Sequence, residues 1–262
     1  MISIAKNMLK GVFPGLYRGG QSKKIQIRLE GPHGVLRFEA LSPVENHRIA
    51  NYGDEREFLN FFLSKLIPQD IVFDIGASVG LFSIHAASLL EQGKVIAFEP
   101  DFETLERLKF NVKLNKQLTN IHYISWAVSD TQSEATLYTD GASGCAPTLK
   151  KQIGRSNAPR GEIKIKTNTL DNALSTGELP LPTALKIDIE GAEILCIKGA
   201  QQLLKGEFGR KPRLIFLEAH PDFLKSFNSN VEEVDDIIKK NGYTSIWMRE
   251  RDNQIHSCYL VN

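Results

Sequence analysis

Between Ile71 and Asn241 the chain alternates short apolar runs with longer amphipathic ones, and no other feature restricts its fold as much. The apolar runs are Ile71–Asp74, Lys94–Phe98, Ile121–Val128, Ala184–Ile189 and Leu214–Glu218. Most are too short for helices, and such continuous apolar runs suit strands buried on both faces. The helical runs are Leu81–Leu90, Phe102–Leu114, Ala192–Leu204 and Val231–Asn241. Alternation of this kind implies a mostly parallel sheet covered by helices on both sides. The chain closes with Thr244–Met248 and Ile255–Val261, joined through Arg251-Asp252-Asn253. That pair reads as a hairpin adding one antiparallel strand at or near the sheet edge. The expected fold is therefore a Rossmann-like three-layer α/β sandwich, with a mostly parallel seven-stranded sheet and a C-terminal β-hairpin.

Two regions break the rhythm. From Ser129 to about Thr169 the pattern is irregular, with Glu134–Tyr138 and Glu162–Lys166 alternating like short strands. Between them, Gly141 to Gly161 carries Lys150, Lys151, Arg155 and Arg160, and reads as a lid, a grip for an anionic acceptor, or a solvated loop. At the other end, residues 25–38 alternate around Gly31-Pro32-His33-Gly34 as a hairpin, and Asp54 to Leu66 forms an amphipathic helix opened by its aspartate. The expected organisation is an N-terminal basic and hairpin extension over residues 1–53, followed by one catalytic domain over 54–262.

Charge and composition narrow the class. With 42% hydrophobic residues the chain buries a sizeable core, and a formal net charge of +1 gives no strong nucleic-acid signal. Positive charge is concentrated before Glu30, at Lys6, Lys10, Arg18, Lys23, Lys24 and Arg28. That segment is either a solvated terminus or a weak contact for phosphate or a membrane surface. No run reaches the length of a transmembrane helix, and Lys6 and Lys10 interrupt what would be a signal peptide's apolar stretch. Cys145, Cys196 and Cys258 show no metal spacing and suit a reducing, cytoplasmic setting. Nothing in the sequence specifies an oligomer.

The first strand runs into Asp74-Ile75-Gly76-Ala77-Ser78-Val79-Gly80 and then a helix. Glycines there let the backbone turn tightly beside a ligand, and a helix N-terminus offers free N–H groups. The second strand ends in Glu99-Pro100, about 25 residues after Asp74. A carboxylate at that point accepts both hydroxyls of a ribose. Asp74 stands where a phosphate is repelled and an α-amino group is attracted, and the Gly-x-Gly-x-x-Gly of dinucleotide sites is missing. S-adenosylmethionine, which carries a ribose and an amino group but no phosphate, fits that combination better than a nicotinamide dinucleotide.

Taken together, Val72-Phe-Asp-Ile-Gly-Ala-Ser-Val-Gly-Leu-Phe-Ser, Ala97-Phe-Glu-Pro, Ala127-Val-Ser-Asp130, Leu185-Lys-Ile-Asp-Ile-Glu-Gly-Ala-Glu193 and Leu217-Glu-Ala-His220 resemble the FkbM-type family of class I S-adenosylmethionine-dependent methyltransferases. The resemblance covers about residues 54–245. Ser78 stands where an asparagine is more usual. The resemblance implies that Asp74, Gly76, Ala77, Ser78 and Gly80 surround the methionine moiety, and that Glu99 and Pro100 flank the ribose. It also implies that Trp126 and Ala127 lie near the adenine, unless Trp126 is a core aromatic. Asp130 either caps its turn or reaches the adenine amino group.

On the acceptor side, alternation along Lys186-Ile-Asp188-Ile-Glu190 points all three charged residues the same way, at the end of a strand beside the donor. His220 ends the next strand and, preceding Pro221, is expected to be extended. Methyl transfer needs an acceptor lone pair held in line, and an alcohol acceptor also needs a base for its proton. Asp188 or His220 is the candidate base, with Glu190 beside them; no metal-ligand spacing is visible. There is no Asn-Pro-Pro-Tyr run and no strand-end Pro-Cys, which disfavours base-amino and cytosine-carbon methylation. The resemblance favours O-methylation of a sugar, glycan or small metabolite. A nucleic-acid methyltransferase and a non-catalytic nucleotide-binding module remain as alternatives.

Overall fold

The apolar strand-forming runs bury fully because helices cover both faces of the sheet they build. In the computed structural model, residues 24–139, 147–151 and 161–262 are described. The basic residues Lys6, Lys10, Arg18 and Lys23, together with Cys145, Arg155 and Arg160, lie outside them. The chain opens with strands β1 (Ile25–Gly31) and β2 (Gly34–Ala40), a two-residue hairpin, followed by helices α1 (Pro43–Ala50) and α2 (Arg56–Lys65). The α/β core then runs β3 (Ile71–Ile75), α3 (Leu81–Leu89), β4 (Lys94–Phe98), α4 (Phe102–Lys113) and β5 (Ile121–Ile124). Strands β6 (Ala127–Val128), β7 (Ser133–Thr139) and β8 (Gly161–Asn168) form a separate small sheet in the order β6-β8-β7. After α5 (Leu170–Ser175) come β9 (Ala184–Ile187), α6 (Glu193–Lys198), α7 (Gln201–Lys205), β10 (Leu214–Ala219), α8 (Pro221–Leu224) and α9 (Val231–Lys240). Strands β11 (Tyr243–Arg251) and β12 (Gln254–Val261) end the chain.

The main sheet has seven strands in the order β11-β12-β10-β9-β3-β4-β5. Neighbours from β10 to β5 are parallel, and β12 runs antiparallel between β10 and β11, as expected of the terminal hairpin. One face packs Val72, Val95 and Phe216 against Phe58, Phe62, Ile84 and Leu108; the other packs Phe73, Phe98, Leu185 and Ile215 against Leu203, Val234 and Ile238. Each such fully buried side chain contributes about 1.5–3 kcal/mol from leaving water.

Four expectations change. The run Ile121–Val128 is not one strand: its ladder with β4 ends at Ile124, where Phe98 does, and Ala127–Val128 pairs with β8 instead. The helix expected over Ala192–Leu204 breaks at Gly199, which lies so close to the Ser129 carbonyl oxygen that a Cβ there would be 2.0 Å from it. Asp171 caps the new start by accepting from Gln202 N and Leu203 N at 2.8 and 2.9 Å. Helix α2 begins at Arg56 with Glu55 at its N-cap position, not at Asp54. Helices α1 and α5 occupy stretches that show no obvious helical period; Ser42 and Thr169 cap them.

The hairpin is tied down by polar side chains from α4. Asn115 accepts from Arg37 N at 2.8 Å and donates to Arg37 O at 2.7 Å, and Asn111 accepts from Glu39 N at 3.0 Å. Arg107 pairs with Glu45 at 3.2 Å and donates to Glu39 O at 2.7 Å, which fixes α1 as well. Among the described residues no helix is long and apolar enough to cross a membrane.

Candidate active site

Strand order reverses between β3 and β9, and the loops leaving their carboxyl ends part there to open a crevice. The loop after β3 lines it. Gly76 has φ +87°, and a Cβ on it would lie 1.9 Å from Asp188 O, so only glycine lets this loop pass the end of β9. Gly76 N and Ala77 N donate to Phe98 O at 3.1 and 2.9 Å. Ser78, at φ +50°, donates its N–H to Glu99 Oε2 at 3.0 Å, and Asp101 N donates to Glu99 Oε1 at 3.0 Å. Burial pushes the Glu99 carboxyl up to about 7 against the pull of those two N–H groups.

Two adjoining cavities occupy the crevice. The first, of about 650 Å³, is lined by Gly76, Ser78, Phe98, Glu99, Pro100, Trp126, Ala127 and Val128, with Asp188, Ile189 and Glu190 from the β9 loop. Leu137, Pro147 and Leu149 also line it. Trp126 stands edge-on to Phe98, with ring centres 5.3 Å apart, and donates to Glu178 Oε1 at 2.9 Å. The second cavity, of about 350 Å³, is lined by Tyr52, Gly53 and Glu55 from the N-terminal elements and by Ala77, Phe82 and Lys186 from the core. Arg48, Gly76, Ser78 and Asp188 line both.

Beneath the crevice, Lys186 is a buried hub. Its Nζ lies 3.2 Å from Asp74 Oδ1 and 3.3 Å from Asp188 Oδ2, and donates to Gly76 O at 3.0 Å. Burial disfavours its charge, but Asp74 and Asp188 more than compensate and raise its pKa. Asp74 also accepts from Ser83 Oγ at 2.6 Å. Its carboxylate is thus engaged inside the protein, and it does not line either cavity.

At the far side, Glu190 (φ +52°) and Gly191 (φ +96°) turn the chain sharply after β9, a rare backbone for a non-glycine residue. This brings Glu190 Oε2 to 3.5 Å from His220 Nε2. His220 Nε2 is also 3.4 Å from Glu218 Oε1 and 4.0 Å from Asp188 Oδ1, while its Nδ1 bonds Glu193 Oε1 at 2.8 Å. Burial opposes a charged imidazole, but Glu190, Glu193 and Glu218 outweigh it and hold His220 well above its ordinary pKa. Those carboxylates favour the charged imidazole over the neutral one, which weakens the case for His220 as the base. Glu190 itself is raised, first by burial. Glu55 is pushed up to about 8 by burial and by the carboxylates of Glu218 and Asp188.

The residues singled out in the sequence thus separate into two sets. Gly76, Ala77, Ser78, Glu99, Pro100, Trp126, Ala127, Asp188 and Glu190 line the cavities. Asp74, Gly80, Asp130 and His220 do not. Gly80 starts α3 with a left-handed backbone, Asp130 is exposed beside Ser129, and His220 sits behind Glu190. His220, before Pro221, has φ −110° and ψ 89°, short of the fully extended backbone expected there. Of the loop cations, Lys150 donates to Ser226 O and Lys151 pairs with Glu162, both outside the crevice. Sequence reasoning missed Arg48, Tyr52 and Glu55, which come from the N-terminal helices, and did not assign a site role to Glu193 or Glu218. A period-two pairing of Glu218 with His220 along β10 was the available signal for the latter.

Residues 74–245 match the model of the methyltransferase FkbM domain, about two thirds of the chain. The hexuronic acid methyltransferase AglP of Haloferax volcanii is 25% identical over 171 residues, covering 65% of this chain and 66% of that protein. The methyltransferase sdnD of Sordaria araneosa is 25% identical over 165 residues, covering 53% and 64%. The match thus spans just under two thirds of the length of each of these relatives, and 11% of a third, the AMB antimetabolite synthetase AmbE of Pseudomonas aeruginosa. A candidate rRNA methylase of Clostridium thermocellum superposes with a TM-score of 0.50 at 9% identity, over 79% of this chain and 95% of that one, which shows a shared fold.

Proposed function

The chain belongs to the FkbM methyltransferase family, whose members take their methyl group from S-adenosylmethionine, and on that premise we propose that it methylates a hydroxyl oxygen of a sugar, glycan or other small hydroxylated acceptor. The observation that carries this reading is the position of Asp188, whose side of the crevice belongs to both cavities. One cavity has the make-up of a nucleoside site and the other holds polar side chains from the N-terminal helices.

The residues present fit the donor. Glu99 offers a carboxylate at the wall, Gly76 presents bare backbone to both cavities, and Ser78 Oγ is buried without a hydrogen-bond partner beside them. In this reading Glu99 accepts the ribose hydroxyls, Phe98, Trp126 and Ala127 flank the adenine, and Gly76, Ala77 and Ser78 follow the methionine. Asp74 acts indirectly, by holding Lys186 and through it Gly76 O. When bound, the donor supplies an electrophilic methyl group on a sulfonium, whose sulfur keeps the bonding pair as the methyl passes to the acceptor oxygen.

The chain's own work is to orient the acceptor hydroxyl and remove its proton. Glu190 is the base in this reading: burial makes it more basic than a solvated carboxylate, whereas Asp188 is paired with Lys186 at 3.3 Å. Asp188 orients the hydroxyl. His220, clamped by Glu193 at 2.8 Å, is a positioning residue that holds Glu190 in place. The acid-rich wall repels polyanions, which favours a small acceptor over nucleic acid, and the name of AglP adds weight to a sugar.

The test is transfer of a labelled methyl group to a panel of glycosides and hydroxylated metabolites. Glu190→Gln should lower turnover about 10²–10⁴-fold while donor affinity stays within a factor of about two. Label that enters only nuclease-sensitive material, or full turnover by Glu190→Gln, would overturn the proposal.

A further inference from the structure

The carboxylates behind the acceptor wall outnumber the cations among them. Among the described residues, Asp74, Asp188, Glu190, Glu193 and Glu218 are joined through Lys186 and His220, Glu55 lies within 4.8 Å of Asp188 and Glu218, and the permanent cations paired with these acids include Lys186, Arg48 and Arg251. Within that network a nitrogen donor and three carboxylates converge. Taking His220 Nε2 as origin, Glu218 Oε1 is 3.4 Å away, Glu190 Oε2 3.5 Å and Asp188 Oδ1 4.0 Å. Gln254 Nε2 approaches the same nitrogen at 3.4 Å.

We infer that Asp188, Glu190 and His220 bind a divalent cation of the Mg²⁺/Mn²⁺ class, with Glu218 beside it. Ligands about 2.1 Å from a common ion are separated by about 3.0 Å at right angles, about 3.4 Å at tetrahedral angles and about 4.2 Å when opposed. The observed separations fall inside that range. The mixture of carboxylate oxygens with one imidazole suits Mn²⁺ or Mg²⁺ better than a thiophilic metal.

Two independent features support a ligand at this place. Glu218 is 1% exposed and its Oε2 makes no hydrogen bond, although His256 Nε2 lies 3.2 Å away. The imidazole is oriented from outside the ligand set: Glu193, fully buried, receives Nδ1 at 2.8 Å and turns Nε2 toward the acids. A carboxylate behind a histidine is the usual support of a metal-bound imidazole. The sequence hid this arrangement because its members come from separate strand ends, with Glu190 and His220 30 positions apart.

The inference rests on the function proposed above only for its consequence. A cation there lowers the pKa of an acceptor hydroxyl that reaches it, and the proton leaves to a neighbouring carboxylate.

The test uses the full chain, stripped of metal and free of donor. Mn²⁺ is titrated in, and binding is read by loss of the aqueous Mn²⁺ electron paramagnetic resonance signal and by calorimetry. One ion per chain is expected, with His220→Gln and Glu190→Gln each weakening binding at least tenfold and Glu193→Gln about tenfold. Glu106→Gln, on the far surface of α4, leaves it unchanged. Should a variant fail to fold, paramagnetic broadening of the His220 ring signals in the native chain locates the ion without mutation. No saturable binding, or equal binding by all variants with His220 unbroadened, overturns the inference and leaves a proton as what closes the cluster. Adenosylmethionine calorimetry on the same sample separates the two ideas: donor without ion refutes the cation alone, and ion without donor refutes the proposed function alone.

Discussion

Glu99 links burial to donor affinity in a way that pH reveals. Its carboxyl titrates at about 7 because burial outweighs the N–H groups of Asp101 and Ser78. Ribose hydroxyls bind the ionised form best, so donor affinity should follow ionisation. With a pKa of about 7, roughly a tenth of the free protein is ionised at pH 6 and roughly nine tenths at pH 8. Affinity should therefore strengthen close to tenfold across that interval, about 1.4 kcal/mol. The donor's own α-amino group titrates at roughly 7.7–8.0 and adds a slope of its own. Glu99→Gln keeps that slope and removes the other, so the difference between the two profiles isolates Glu99. At pH 8 the variant should bind at least about tenfold more weakly, since a charge-assisted hydrogen bond is worth roughly 1.5–3 kcal/mol. Isothermal calorimetry of adenosylmethionine at pH 6, 7 and 8 reads both effects, with circular dichroism checking that the variant folds. Parallel profiles, or a variant with native affinity at pH 8, would falsify the assignment of Glu99 to the ribose.

Lys186→Met should destabilise the chain by about 3–5 kcal/mol in urea unfolding, because it strands the buried Asp74 carboxylate; adding Asp74→Asn should recover part of the loss. Gly76→Ala should abolish donor binding in calorimetry or prevent folding, since its Cβ meets Asp188 O, whereas Gly177→Ala, with open space around it but φ +73°, should cost only the left-handed backbone strain of about 1–2 kcal/mol and leave donor affinity unchanged. Glu55 has a folded pKa of about 8, above its unfolded value, so the stability tied to its proton is fully present below about pH 4.5 and is lost as pH rises through about 8. Melting temperatures measured between pH 5 and 8.5 should consequently fall less for Glu55→Gln than for the native chain, and identical slopes would remove Glu55 from this account.

The α/β core was legible because strands buried on both faces leave uninterrupted apolar runs, and their ends carry the donor-side residues Gly76, Ser78 and Glu99. The acceptor wall was not. Helix α1 is largely polar along its length, and its signal was instead Ser42-Pro43-Val44-Glu45: Ser42 Oγ accepts from Glu45 N, and the Glu45 carboxylate accepts from Leu41 N, a near relative of a capping box. Even that signal predicts a helix and not the delivery of Arg48 to the crevice, which depends on how Arg107 and the two asparagines of α4 seat the segment. Asp74 shows the opposite difficulty. A strand-end acid before a glycine loop points to the donor, yet its partner Lys186 is 112 residues away and only the β3–β9 pairing brings them together. His220 was read as lying beside Asp188, and the two are 4.0 Å apart, but its raised pKa depends on Glu190, Glu193 and Glu218, whose convergence is visible only in three dimensions.

The asparagine clamp has a consequence for anyone recombining such chains. Arg48, Tyr52 and Glu55 all precede residue 74, so one wall of the second cavity lies outside the stretch matched by the family model. Its fittings, however, lie inside that stretch, at Arg107, Asn111 and Asn115. The N-terminal hairpin and helices therefore form a module that plugs into sockets on α4, and a graft of residues 24–55 onto another core should seat only where that core offers the same three side chains. The interchangeable part of the molecule and the part that licenses the interchange are far apart in the chain.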